Sequence, residues 1–558
     1  MHKFFVFISF CIALCCSIGF AQTPYNPHID VLHYQFKLEL NDKNNEILGE
    51  ATIELAFKTS SVKAFQLDFI GKTRIGAGGT PVGEGMKVYS VQEESEFARF
   101  THDSNRITIY PTKTSQTLER RRYTITYRGI PADGLIISKN KFGDRTFFGD
   151  NWAVRARHWL PTVDHPSDKA TCEFLVTAPN RYQVISNGVL VEESDVDSTR
   201  RQTHWRESTP IATKLMVIGV AQFSVQRYLS QKGKHIESWV FPQNRTAGLY
   251  DYAQAAPILD FFEQHIGEFA YEKLANVQSK TRYGGMENAS AIFYAEEALD
   301  GKRSNETLFA HEIAHQWFGD AVSESDWQHI WLSESFATYF ADVYYEHRYG
   351  RDRMVQEMSK ERVKALKYAK AHPTDPIVDT VSAVKFETLL SPLVYEKGAW
   401  VLHGLRKVVG DDAFWNGIRT YYLRFKNGNA STNDFRQVME KASGLDLRTF
   451  FRQWLYTPAH PTLQYSWTFD STAKNLTLLI RQAQMPLFEM PLDIGIYSGT
   501  ARMLTLKTLQ VREKEQTFTI PCDAKPSELV IDPHSWLFCE VEAIPENNAN
   551  AHSSGQKK

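Results

Sequence analysis

The sequence predicts a multidomain α+β protein, and three observations carry the prediction. Apolar and polar residues alternate with a period of two through most of the stretch from about Ile29 to Val225. Helical spacing takes over near Tyr250 and lasts until Pro458 and Pro461. Strand patterns then return between Leu463 and Val541. At 558 residues the chain has length for about three to four domains, each with its own core. Hydrophobic residues make up 42% and charged residues 23%, which excludes collagen-like, coiled-coil and wholly disordered chains. Lys and Arg (63) nearly balance Asp and Glu (65), so the overall basic excess of a nucleic-acid binder is missing and no such partner is expected.

The first segment reads as a leader. Lys3 precedes an apolar run from Phe4 to Phe20, and Gly19 and Ala21 supply the small residues of a signal-peptidase site. Residues 1–21 are expected to be a signal peptide. The mature protein is then exported, periplasmic or extracellular, and has no membrane span. Cleavage removes Cys11, Cys15 and Cys16 and leaves Cys172, Cys522 and Cys539. Cys522 and Cys539 either pair within the last domain or stay as separate thiols.

Residues 22–225 read as a large antiparallel β domain. Phe36–Leu40, Thr52–Phe57 and Arg106–Tyr110 alternate, and turn residues at Gly76–Thr80 and Ala178–Arg181 separate such runs. Residues 226–457 read as the next domain. Tyr250, Tyr252, Ala253, Ala256, Ile258, Leu259, Phe262 and Ile266 form one apolar stripe, with Pro257 as either a kink or the true helix start. Ser304 is the expected N-cap of the following helix, with Glu306 in its first turn and Gly319 past its end. Ser431–Asp434 opens another helix, and Leu445–Leu455 forms the next. In residues 458–544, Tyr465, Trp467 and Phe469, then Leu476, Leu478 and Ile480, then Leu529 and Ile531 fit a small β-sandwich. Residues 545–558 lack large apolar side chains and are expected to be a disordered tail.

The chemistry lies in the helical part. His311-Glu-Ile-Ala-His315 is an H-E-x-x-H motif, and residues i and i+4 share one helical face, so both imidazoles can reach one ion. Glu312 sits about 100° round the helix, where it can touch a water on that ion without ligating it. Glu334 opens a second helical segment with eighteen residues between it and His315, enough for the chain to turn and return on an antiparallel neighbour. His311, His315 and Glu334 then make a His/His/Glu set, a known catalytic zinc arrangement.

This spacing resembles the gluzincin aminopeptidases, the family typified by aminopeptidase N and leukotriene A hydrolase. Gly284-Gly-Met-Glu-Asn288 looks like that family's exopeptidase motif, and Tyr395-Glu-Lys-Gly398 resembles the segment of its catalytic tyrosine. Arg157-His-Trp-Leu-Pro161, Asp164-His-Pro166 and Lys169-Ala170 resemble a stretch of its N-terminal domain. The resemblance implies an N-terminal β saddle, a thermolysin-like α/β catalytic domain and a C-terminal β-sandwich. The long helical domain that follows in many relatives has no counterpart here, which implies a more open cleft.

The resemblance also implies one zinc ion per chain and peptide substrates with a free N-terminus. Glu312 would take a proton from the attacking water and return it to the leaving amine. Tyr395 would donate a hydrogen bond to the oxyanion. Gly284, Gly285, Met286, Glu287 and Asn288 would bind substrate, with Glu287 on the α-amine and Met286 shaping the first pocket. Glu287 paired with a nearby Arg such as Arg282 is the structural alternative. Where relatives often carry a Gln or Glu that helps hold the amine, this chain has Asp150-Asn-Trp152. A zinc endopeptidase is the rival that the exopeptidase motif opposes. An epoxide hydrolase is opposed by Leu390, which stands where the leukotriene enzyme has a second tyrosine. Ser335 replaces the family's usual Gly after the third ligand. Asn288 also begins an Asn-x-Ser sequon, and a glycan there would block the cleft, so that site is expected to carry none.

Overall fold

The computed structural model describes residues 25–71, 85–103, 105–380, 386–498 and 503–544. The expected signal peptide, the Gly76–Thr80 turn and the expected tail lie outside the described residues.

The alternating N-terminal sequence forms an eight-stranded sheet. Its centre is β1 (Ile29–Glu39) beside β2 (Ile47–Phe57), whose odd positions from Ile47 to Phe57 are buried while the even ones are at least partly exposed. The expectation of an antiparallel domain needs one correction. β1 pairs in parallel with the Lys169–Pro179 strand, from His33 beside Thr171 to Glu39 beside Thr177. Alternation looks the same in either pairing, and only the long excursion between these strands permits the parallel one. A four-stranded sheet (Gln183–Ser186, Ile218–Ala221, Arg145–Gly149, Leu135–Lys139) and a three-stranded one complete this part.

A five-stranded sheet begins at Ser224–Leu229 and continues through His235–Val240, Lys273–Ser279 and Ala291–Ala295 to an edge strand, Gly285–Met286. The expected stripe around Pro257 is two helices, α1 (Arg245–Tyr252) and α2 (Ala255–His265), with Pro257 third in α2. In a first turn the missing N–H costs nothing, so Pro257 marks a helix start. Helix α3 (Glu306–His315) is preceded by Asn305, one residue beyond the expected cap Ser304, and the Asn305 amide donates to Ala298 O instead of capping. Helix α4 (Trp331–Tyr349) is buried on every side from Trp331 to Tyr345, as a central helix must be. Helix α5 (Arg351–Ala371) follows it and exposes most of its length. Ser431 and Asp434 form the capping box that the Ser-Thr-Asn-Asp run announces.

Residues 462–543 form two sheets, of four and three strands, and the three predicted apolar runs fall on them. Cys522 and Cys539 do not pair, and Cys172 is free and buried. No helix among the described residues is long and apolar enough to cross a membrane.

Candidate active site

Helix α3 carries His311 and His315 one turn apart, and α4 packs against it with Glu334 in its first turn. The two imidazole Nε2 atoms lie 3.0 Å apart. Glu334 Oε2 is 3.5 Å from His311 Nε2 and 3.2 Å from His315 Nε2. Donors on a tetrahedral ion with bonds of about 2.0–2.2 Å would stand about 3.3–3.6 Å apart. At 3.0–3.5 Å the triangle is slightly tighter than this, and close to what a small first-row cation with imidazole and carboxylate preference requires.

The ring orientations are fixed from behind. His315 Nδ1 donates to Phe318 O at 3.0 Å, with Ser333 Oγ at 3.1 Å, which leaves the Nε2 lone pair facing the site. Thr338 Oγ1 stands 3.4 Å from His311 Nδ1. The chain passes tightly between these groups at Gly319, where φ is +119° and a Cβ would come within 2.2 Å of Ser333 Oγ. The site also demands positive charge. Burial works against a charged His315, yet Glu334, Glu287 and Glu312 outweigh it and push the imidazole pKa up to about 10. Burial would raise Glu334 as well, but the two histidines hold it far below the usual carboxylate range. A cation in the triangle answers the same field.

A second set overlaps the first. Donor atoms of Glu287, Glu312 and His315 lie within 4.8 Å of one another. Glu312 faces the cleft, and burial first of all raises its pKa well above the ordinary value. Its carboxylate lies against the backbone of Gly285, where a Cβ would be 2.3 Å from Oε1, so only glycine fits there. Gly284, Gly285, Met286 and Glu287 all line a cleft of about 400 Å³ with the three triangle residues and Tyr395. Asn288 does not line it. Its side chain is fully buried behind the segment, which also closes that sequon to a glycan.

Glu287 is buried, and its Oε1 accepts no hydrogen bond. The Arg282 alternative is not realised, because that guanidinium pairs with Asp133. Gln316, the residue after His315, donates to Glu287 O at 2.8 Å and accepts from Ser290 N, clamping the 284–290 segment onto α3. Tyr395 lies in the wide helical turn Leu393–Lys397, stacked on His311 with centroids 5.9 Å apart. Burial, reinforced by Glu334, Glu287 and Glu312, keeps its phenol protonated well above the usual range. Ser335 Oγ donates to Val394 O and so ties α4 to that turn.

Residues 250–454 match the peptidase family M1 domain, and residues 30–215 match the peptidase M1 N-terminal domain. The chain belongs to peptidase family M1. Among M1 relatives, glutamyl aminopeptidase of Sus scrofa is 29% identical over 327 residues, 56% of this chain and 35% of that protein. The Homo sapiens glutamyl aminopeptidase is 28% identical over 59% of this chain and 36% of its own length. Probable aminopeptidase 1 of Sulfurisphaera tokodaii is 25% identical over 77% of this chain and 56% of its own length. The chain thus spans between a third and somewhat over half of these relatives. The Legionella pneumophila aminopeptidase A structure, solved with aspartic acid, superimposes with a TM-score of 0.79 over 93% of this chain and 60% of that one, at 17% identity. That similarity establishes the shared fold.

Two lysines of the strand-rich N-terminal part act as braces. Lys169 donates to Asp320 O and Ala321 O, and Lys214 forms a fully buried ion pair with Glu324 at 2.8 Å. Both lysines thereby hold the loop that follows His315. Of Asp150-Asn-Trp152, only Trp152 lines the cleft. Asp150 binds Arg155 and the Arg282 N–H, and Asn151 accepts from Trp159 Nε1. Thr338, Leu308, Glu361 and Glu396 also line the cleft and were not anticipated. Thr338 was within reach of the sequence, since it follows Glu334 by four residues on the same helical face.

Proposed function

We propose that this chain is a zinc-dependent aminopeptidase that removes the N-terminal residue from peptides in the periplasm or outside the cell. The observation that carries the reading is Glu287, a buried carboxylate with an unpartnered oxygen beside the His311/His315/Glu334 triangle. Leaving such a group unpaired is costly, and a protonated α-amine satisfies it. The free amine has a pKa of about 7.7–8.0, so it is largely cationic near neutrality. Its distance from the triangle then sets how many residues fit before the scissile bond.

His311, His315 and Glu334 would hold the zinc, which when bound supplies a Lewis acid for the carbonyl and lowers the pKa of a water toward about 7. Glu312 takes the proton of the attacking water and returns it to the leaving nitrogen. Tyr395 keeps its proton and donates a hydrogen bond to the developing oxyanion. Gly285–Met286, an edge strand, leaves one side of its backbone open to an extended peptide. Export rests on the Lys3, Phe4–Phe20 and Ala21 pattern.

N-acetylation of the substrate tests the reading. The wild type is expected to cleave a free tripeptide and leave its N-acetyl form intact. Glu287→Ala is expected to lower kcat/KM on the free peptide about 10–100-fold, chiefly through KM, the scale of one charge-assisted hydrogen bond of about 1.5–3 kcal/mol. Efficient cutting of the acetylated peptide at internal bonds would establish the endopeptidase instead. Tyr395→Phe is expected to fold normally, keep its metal and lose about 10²–10³-fold in kcat, as removal of one oxyanion donor does. A wild-type kcat in that variant would remove Tyr395 from the reaction.

A further inference from the structure

No hydrogen bond at Oε1 holds the Glu287 carboxylate, so its place beside the triangle is set by the backbone that carries it. That backbone is pinned from two sides. Gln316, just past α3, holds Glu287 O and Ser290 N from the helix side. The N-terminal β region reaches in from the other. Asn187 lies in the turn between the strands Gln183–Ser186 and Val189–Asp195 and is buried. Its Nδ2 donates to Ala289 O at 2.6 Å and to Leu215 O at 2.8 Å, and its Oδ1 accepts from Val217 N at 2.9 Å. Gly188 N donates to Ser290 Oγ at 2.7 Å, and that hydroxyl donates to Glu207 Oε2 at 3.1 Å. Lys273 Nζ closes the contact by donating to Ser186 O at 2.9 Å and Ser290 O at 3.3 Å.

The backbone on both sides is shaped for this approach. Gly188 has φ +73°, and a Cβ there would overlap the Arg206 carbonyl, so the turn reaches Ser290 only with glycine. Ser290 has φ +62°, a left-handed conformation uncommon for a residue with a Cβ. Such conformations persist where the surroundings over-determine them, and they gather at ligand clamps. Both Nδ2 hydrogens of Asn187 are committed to carbonyls, a pattern that neither aspartate nor an apolar side chain reproduces. Neither Asn187 nor Ser290 lines the cleft, so any effect of theirs on substrate passes through the segment they hold.

We propose that Asn187 is a positioning residue for substrate binding: by holding Ala289 it fixes the Glu287 carboxylate at the distance from the metal triangle that an α-amine requires. The inference rests on the aminopeptidase reading. The triangle stands on α3 and α4, whereas the three hydrogen bonds of the Asn187 amide go to Ala289, Leu215 and Val217. Loss of that amide therefore loosens the carboxylate that meets the amine and leaves the metal ligands in place. A charge-assisted hydrogen bond is sensitive to such a displacement, since its strength depends on distance and alignment.

Two hydroxamates test it by calorimetry on the zinc-loaded full chain, one with the free α-amine of leucine and one lacking only that amine. Asn187→Ala is expected to weaken the amino compound about tenfold and the deamino compound less than about twofold, with zinc still bound. KM for a free-amine dipeptide amide is expected to rise by a similar factor at nearly constant kcat, the signature of lost uniform binding. In a Glu287→Ala background the same substitution is expected to change neither affinity, because the group it positions is gone. Ser290→Ala, measured in parallel, removes the tie to Gly188 and Glu207 and runs the same cycle should Asn187→Ala melt below the assay temperature. Equal weakening of both hydroxamates, an unchanged KM in the folded variants, or the full further loss in the Glu287→Ala background would overturn the proposal. Failure of the zinc-loaded wild type to cleave any free-amine dipeptide amide would instead count against the aminopeptidase reading itself.

Discussion

Glu312→Gln is expected to keep one zinc ion per chain and to lose nearly all turnover. The amide has the size of the carboxyl, so the contact with the Gly285 backbone survives. It cannot accept the proton of the attacking water, and a positioned general base contributes about 10²–10⁴-fold. In the proposed reaction the same group also reprotonates the leaving nitrogen, which places the expected loss at the upper end of that range. Metal analysis gives the variant a second meaning. Glu312 belongs to one of two overlapping donor sets, with Glu287 and His315, while His311, His315 and Glu334 form the other. Retained zinc assigns the ion to the set of His311, His315 and Glu334. Zinc lost along with activity would put Glu312 among the ligands and remove it as the base.

Much of this site was legible because its spacing is local. The H-E-x-x-H pair needs only the helical repeat to put two imidazoles on one face, and the two Nε2 atoms meet at 3.0 Å. Glu334 follows once a return helix is assumed. Glu287 was reached through a motif resemblance alone; no periodicity distinguishes it from a surface glutamate, and its isolation from Arg282 depends on Asp133, about 150 residues away in sequence. Glu361 was invisible for the same reason. It lies on a helix whose sequence places it on any face, and only the packing of α5 against α4 brings it to the cleft.

The fold divides along the same line. Alternation located β1, β2 and the C-terminal strands, because burial on one face is a local requirement. It could not reveal that β1 pairs in parallel with Lys169–Pro179, since pairing direction is set by the path between strands. The break between α1 and α2 was hidden by an apolar stripe continuous across it, with Pro257 the one residue that marked the restart. Lys169 and Lys214 show what local reading loses most. Both come from the strand-rich half of the chain and end on the loop behind His315, so the geometry of a site on α3 depends on residues from that half.

Glu334→Ala is expected to release the metal and abolish activity, and His315→Ala to do the same. Three protein ligands are the smallest set that a catalytic zinc site with an open position uses. Removing Glu334 takes away the carboxylate that bridges the two imidazoles at 3.5 and 3.2 Å, leaving His311 and His315 as the remaining donors of that triangle. Removing His315 disrupts both overlapping donor sets at once, because it is their shared member. Glu334→Ala disrupts only one. The two variants therefore differ in what they would reveal. Loss of zinc from both fixes the ion between His311, His315 and Glu334. Loss from His315→Ala with full zinc in Glu334→Ala would move the ion to Glu287, Glu312 and His315 and occupy the carboxylate proposed for the substrate amine. Equilibrium dialysis with metal analysis reads this directly, and melting temperature with and without added zinc provides the check on folding, since a ligand that binds only the native state raises it in proportion to its affinity. A wild-type shift on adding zinc that persists unchanged in Glu334→Ala would remove the third ligand from the site.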